Sequence, residues 1–303
     1  MISSLRIAFA ATLVGLNTLI HALPLLGLAV VKLALPVARW RDAISNLLTR
    51  IAESWIGVNS AAILAFTPTR IVLIGEFAPD PRGRYLVLCN HRSWCDIPML
   101  QAAFNRRIPL LRFFLKQELI WVPVLGLAWW ALDFPFMRRH SRAKLQRDPG
   151  LRGKDMEATR RACAKFAARP VSIMNFAEGT RFTAAKHASR ASPYRHLLRP
   201  RAGGTGAVLD AMAGHLDAVL DVTLIYLDPE PSLAALLAGR LRRVEVHVRE
   251  RPVPEELAQG GDYESDASYR IACQRWLNAL WVEKDALIGA RLQAAQEDAT
   301  DAA

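Results

Sequence analysis

Asn90-His91-Arg92-Ser93-Trp94-Cys95-Asp96 follows the short apolar run Tyr85-Leu86-Val87-Leu88-Cys89. The run reads as a buried strand. Asp96 then opens Ile97-Pro98-Met99-Leu100, where an acidic N-cap or N1 residue, an early proline and apolar residues mark a helix start. The stretch therefore delivers a histidine at a strand end and a carboxylate five positions on, a usual place for a site in an α/β domain. The pair suits one chemistry. A neutral imidazole takes a proton from a hydroxyl, and a carboxylate on its other nitrogen fixes the tautomer and stabilises the imidazolium that forms, help worth roughly 10²–10⁴ in rate. The chain contains no G-x-S-x-G elbow, which points to a substrate hydroxyl as the attacking group. Taken alone, H-x-x-x-x-D is more often a strand end followed by a helix cap.

Working outward, Arg70 to Gly75 reads as a strand, Asp80-Pro81-Arg82-Gly83 as a turn, Ile97 to Phe104 as a helix and Pro109 to Leu115 as a strand ending at Lys116. Val122 to Leu132 reads as a short apolar helix, Lys154 to Ala168 as a helix and Val171 to Phe176 as a strand. Gly204 to Ala213 is helical, Val219 to Leu227 and Val244 to Val248 are strands, and Tyr269 to Leu287 is a helix. The small, acidic tail after Gln293 is expected to fray. Alternating strands and helices give an α/β fold, a central sheet sandwiched by helices.

Ahead of this lies Ile7 to Leu35, almost wholly apolar and broken by Asn17, His21, Pro24 and Lys32. At about 1.5 Å per residue it is long enough to cross a roughly 30 Å hydrocarbon core. Pro24 leaves both a tilted span and a re-entrant hairpin open. The larger basic cluster follows the run (Lys32, Arg39, Arg41) and puts the C-terminal side in the cytoplasm. Val37 to Ile63 reads as an amphipathic helix, lying on a membrane or packed on the domain. The division is residues 1–66 as membrane-associated helices, 67–290 as the catalytic domain and 291–303 as an acidic tail.

Composition agrees with a membrane-surface protein: 52% of the 303 residues are hydrophobic, yet the formal net charge is +11. Between Arg138 and Arg201 stand 17 Lys and Arg against 4 Asp and Glu, an excess of 13. With few aromatics and no binding module there, nucleic acid is not the expected partner; phosphate-bearing substrates beside a membrane are. Cys89, Cys95, Cys163 and Cys273 show no CxxC spacing, reading as reduced, mostly buried thiols of a cytoplasmic protein with no metal role.

Two further motifs join the first. Phe176-Ala177-Glu178-Gly179-Thr180-Arg181 ends a strand in a glycine turn and an arginine whose planar fork matches a phosphate. Phe134-Pro135-Phe136-Met137 leads into Arg138-Arg139. In this order, Asn90-His91-x-x-x-x-Asp96, the Phe134–Arg139 block and Phe176-x-Glu178-Gly179-Thr180-Arg181 resemble the glycerolipid acyltransferase family, best known for the 1-acylglycerol-3-phosphate (lysophosphatidic acid) acyltransferases. The resemblance covers roughly residues 70–230. Asp133-Phe134-Pro135-Phe136-Met137-Arg138-Arg139 and Pro200-Arg201-Ala202-Gly203-Gly204-Thr205-Gly206 look most like the bacterial YihG-type acyltransferases, a subgroup similar to eukaryotic lysocardiolipin acyltransferases.

The resemblance implies a central mixed sheet flanked by helices, with His91 as general base and Asp96 as its partner. It implies a lysophospholipid hydroxyl attacking the thioester of acyl-CoA or acyl carrier protein, with no other cofactor. Glu178, Gly179, Thr180 and Arg181 would form the acceptor's phosphate site, assisted by Arg138, Arg139 and Lys116, at a bacterial inner membrane with the site on the cytoplasmic face. Asn90 would support the turn. The chain departs from the family in lacking the usual glycine of the second block, and Asp221-Val222-Thr223-Leu224-Ile225-Tyr226 stands where a proline usually does. The rival readings are a non-catalytic membrane- or lipid-binding protein on the same scaffold and an acyl-CoA hydrolase.

Overall fold

The computed structural model describes residues 2–137, 147, 163, 166, 169–263 and 265–301. Two long helices come first, α1 (Ile2–Ala34) and α2 (Ala38–Phe66). They are antiparallel, as Phe9 meets Phe66 and Asn17 bonds the Trp55 carbonyl and Asn59. The chain reverses at residues 35–37, and α1 runs unbroken through Pro24, so no re-entrant turn forms there. The segment Leu5–Ala34 is long and apolar enough to cross a membrane. The Val37 stripe packs inward: Leu48, Ala52 and Ile56 are buried in the same core as the sheet.

The sheet has six strands in the order β1 (Arg70–Ile74), β8 (Arg243–Arg251), β7 (Ala218–Tyr226), β2 (Arg84–Cys89), β6 (Val171–Phe176) and β3 (Leu111–Phe113). Only β7 and β8 pair antiparallel; every other neighbour is parallel, so the sheet is mixed as expected. Both faces are covered, which explains why β2 and β7 read as continuous apolar runs. Val87, Cys89, Leu220 and Val222 face α1, α2 and α3 (Asp96–Phe104), whereas Leu86, Leu88, Val219 and Ile225 face α6 (Ala202–Ala211) and α9 (Ala267–Asp301), with the short helices α7 (Leu233–Leu237) and α8 (Glu255–Ala258) between those two in the chain.

Two expectations are corrected, the strand from Pro109 and the frayed tail. Pro109 to Leu115 is not one strand: β3 closes the sheet edge against β6, and the chain then changes partner, Leu115 donating to the Pro135 carbonyl so that β4 (Leu115–Lys116) pairs with β5 (Phe136–Met137) in a separate ribbon. The short apolar helix expected over Val122–Leu132 is present as α4 (Leu125–Ala131), after a 3₁₀ turn at Gln117–Trp121. The tail does not fray; α9 is helical to Asp301, its Arg291 fixed in a fork to the Glu245 carboxylate on β8. The four cysteines are buried and unpaired. The Lys154–Ala168 helix, apart from residues 163 and 166, lies outside the described residues.

Candidate active site

Strands β2 and β6 are parallel neighbours in the register Cys89↔Phe176, so both end at one level. That register brings together two motifs more than eighty residues apart, at the carboxyl ends of adjacent parallel strands. The Phe182 N–H donates to the His91 carbonyl at 2.7 Å, and the His91 N–H donates to Glu178 Oε1. Asn90 anchors the first turn from the other side: its amide donates to the Leu224 carbonyl on β7 and its oxygen accepts from the Leu224 N–H.

The His91 ring stacks on Phe176, 4.0 Å between centroids, and its Nδ1 lies 2.7 Å from Asp96 Oδ2. Asp96 is the first residue of α3 and wholly buried. Its Oδ2 also accepts from the backbone N–H groups of Arg92 at 2.7 Å and Ser93 at 3.0 Å, and its Oδ1 accepts from the Tyr226 hydroxyl at 2.7 Å. A buried carboxylate needs such donors. They also fix it where it holds the imidazole by Nδ1, and among the described residues none bonds Nε2.

The second loop turns at Gly179, whose φ of +68° favours glycine. Lys186, from α5 (Ala184–Ser189), reaches back beneath the loop to the Thr180 hydroxyl and the Arg181 carbonyl. The Arg181 guanidinium lies 4.2 Å over the Trp94 ring, and Arg92 lies 4.4 Å over Phe182. The two loops thus exchange stacked arginines, whose flat faces are fixed while their N–H edges stay available to an oxyanion.

Glu178 differs from expectation. It is completely buried, its oxygens taken by the N–H groups of His91 and Leu198, so it braces the two loops and presents nothing to a ligand. Burial pushes its pKa up to about 8, with the two backbone hydrogen bonds offsetting part of the effect. Lys116 is exposed on the β4–β5 ribbon. Arg138 and Arg139 follow β5 directly and lie outside the described residues. Sequence reasoning missed Tyr226, Lys186 and the stacking role of Arg92. Nothing local flags Tyr226, which meets Asp96 across 130 positions of chain.

An apolar cavity of about 160 Å³ lies between the helical hairpin and the domain, lined by Leu25, Ile56, Ile97, Phe113, Ala128 and Phe134 among others. Phe113 stacks on Phe176, which stacks on His91, so the cavity adjoins the turn that carries His91.

The profile of the acyltransferase family matches residues 70–226. The chain is 27% identical over 216 residues to the mouse (Mus musculus) 1-acyl-sn-glycerol-3-phosphate acyltransferase epsilon, covering 63% of this chain and 56% of the relative. It is 26% identical over 255 residues to the human (Homo sapiens) delta enzyme, covering 80% and 60%. The mouse gamma enzyme is 32% identical over 183 residues, covering 57% and 43%. The chain thus spans less than two thirds of the length of these curated relatives. The fold resembles the crystal structure of the 1-acyl-sn-glycerophosphate (LPA) acyltransferase PlsC from Thermotoga maritima, with a TM-score of 0.53 at 15% identity over 94% of both chains.

Proposed function

Because the chain belongs to the acyltransferase family, whose profile covers residues 70–226, we propose that it moves a fatty acyl chain from acyl-CoA or acyl carrier protein to the free hydroxyl of a lysophospholipid. One observation carries the reading: a buried carboxylate with four donors holds a histidine by Nδ1, beside a glycine turn that ends in a stacked arginine. In the reaction, the acceptor hydroxyl gives its proton to His91 Nε2 as its oxygen attacks the thioester carbonyl. The carbon–sulfur bond then breaks, and the imidazolium returns the proton to the thiolate. The phosphate lies on the Gly179–Arg181 loop, with Arg181 as the charged contact and Lys116, Arg138 and Arg139 supporting it. The acyl chain enters the apolar cavity beside Phe113.

The same reading takes residues 1–66 as the membrane-associated helices of a catalytic unit spanning 67–290, at a bacterial inner membrane with the site facing the cytoplasm. The apolar length of α1 and the basic residues after it support this. Within the family, the phrases around Phe134 and Gly203 favour the YihG-type subgroup.

The test uses membranes from cells overproducing wild type or His91→Ala, with radiolabelled acyl-CoA and a panel of lysophospholipids. A labelled diacyl product formed only by wild type establishes the transfer and names its acceptor. Equal CoA release by both proteins with no lipid product overturns it.

A further inference from the structure

The proposed chemistry leaves one half-buried cation unused. Arg92 directly follows the general base. Its N–H holds Asp96 and its guanidinium face lies on Phe182, yet among the described residues no carboxylate pairs with that guanidinium. Partial burial lowers its pKa, and the fields of Asp96 and Glu178 offset only part of that effect. Both carboxylates are bonded elsewhere, Asp96 to His91 and Tyr226, Glu178 to backbone amides. A cation partly withdrawn from water and left without a partner is a standing attraction for an anion.

Arg92 also borders a cleft of about 240 Å³ that receives no residue of the Glu178–Arg181 loop. Asn90 and Arg92 form one wall, the end of β7 from Leu224 to Pro229 a second, and Ile288, Leu292 and Gln296 of α9 a third, with His196 beside Arg92. Burial lowers the pKa of His196, favouring the neutral ring that can donate or accept one hydrogen bond. The one acid lining this space, among the described residues, is already engaged: Asp228 accepts from the N–H groups of Arg242 and Arg243; Asp285, whose carboxylate accepts from the N–H groups of Arg195 and His196, does not line it. The cleft holds roughly eight water volumes at about 30 Å³ each, room for a phosphate and part of an uncharged arm along its apolar wall. It shares no lining residue with the apolar cavity on the other side of the catalytic turn.

We propose that Arg92, with His196 beside it, forms a second phosphate subsite, separate from the Arg181 loop, that takes a substrate phosphodiester carrying an uncharged arm. This rests on the acyl-transfer reading. Two substrates bring that chemistry: the pantetheine phosphate of the thioester donor, a diester on a carrier protein and half of a diphosphate on CoA, and the second phosphate of an acceptor whose first phosphate lies on the Arg181 loop.

The kinetic test compares wild type, Arg92→Met, Arg92→Lys and His196→Gln, full-length in detergent micelles. Donors are acyl-CoA and acylated acyl carrier protein; acceptors are lysophosphatidate, with one phosphate, and lysocardiolipin, with two. Arg92→Met should raise one KM about ten- to a hundredfold, as for a lost charged hydrogen bond, with Arg92→Lys intermediate and His196→Gln smaller in the same direction. An equal rise for both donors assigns the pantetheine phosphate; a rise for lysocardiolipin alone assigns the headgroup's second phosphate. A rise for lysophosphatidate alone, or a fall in kcat with every KM unchanged, overturns the subsite.

A binding arm needs no turnover. By calorimetry, wild type should prefer 4′-phosphopantetheine over pantetheine, or glycerophosphoglycerol over glycerol, by tenfold or more, and Arg92→Met should lose that preference. No preference in wild type for either pair overturns the subsite even if transfer is active, whereas a preference without transfer overturns the acyl-transfer reading alone.

Discussion

Asp96→Asn isolates the charge of the buried carboxylate from its geometry. Asp96 Oδ2 accepts from His91 Nδ1 and the N–H groups of Arg92 and Ser93, while Oδ1 accepts from the Tyr226 hydroxyl. An asparagine fits one way round: its oxygen faces the three nitrogen donors, and its NH₂ faces Tyr226, whose hydroxyl rotates to accept. The imidazole keeps its position and its tautomer, so the large tautomer penalty known from triads does not apply. What disappears is the negative charge 2.7 Å from the ring when the imidazolium forms. A hydrogen bond to an ionised group exceeds a neutral one by about 1–1.5 kcal/mol, and the full attraction of unit charges about 4 Å apart near a protein surface is about 4 kcal/mol. At about 1.4 kcal/mol per tenfold, kcat should fall roughly 10- to 1,000-fold. The acceptor KM should stay within about twofold, because the Arg181 loop is untouched. The assay is steady-state acyl transfer by the solubilised protein, with the melting temperature as a control. A folded Asp96→Asn protein that loses less than about threefold in kcat would refute the idea that this carboxylate stabilises a protonated His91.

Other outcomes follow from the same geometry. Arg181→Ala should raise the acceptor KM about ten- to a hundredfold; an unchanged KM would remove Arg181 from the phosphate site. Tyr226→Phe deletes one donor to Asp96 and should lower kcat by about three- to tenfold, the scale of one hydrogen bond, with acceptor KM unchanged in the same assay. Because burial raises Glu178 to about 8, the folded chain holds a proton that the unfolded chain has already released. Its contribution to stability is therefore full below the ordinary carboxylate range and is lost as pH rises to 8, by at most about 1.4 kcal/mol per unit. Melting curves from pH 5 to 8 should show Glu178→Gln flattening that decline; equal slopes would contradict the assignment. Lys284 is buried against the Asp221 carboxylate and the Val222 carbonyl, so Lys284→Met should cost about 3–5 kcal/mol, seen as a lower melting temperature.

The chain's own residues made its local structure legible. Apolar runs at Tyr85, Val171 and Val219 read as strands, and the α2 stripe as a helix with one apolar face, whose partner, membrane or domain, the sequence left open. His91 and Asp96 were legible as a pair because a five-residue turn from a strand end to a helix start keeps them within reach of each other, whatever the rest of the chain does. Tertiary structure decided whatever depends on which elements become neighbours. Only the β2–β6 register sets Glu178 beneath His91, fully buried, where its sequence alone suggested a ligand contact. Only the β7–β2 pairing brings Leu224 to Asn90 and Tyr226 to Asp96. The strand expected from Pro109 broke at Phe114 because its two halves found different partners, and the acidic tail stayed helical because Arg291 met Glu245. Periodicity reports which face of an element is apolar, a property of adjacent residues. Which distant strand or carboxylate that face meets is set by packing the whole chain around one sheet, and no local pattern encodes it.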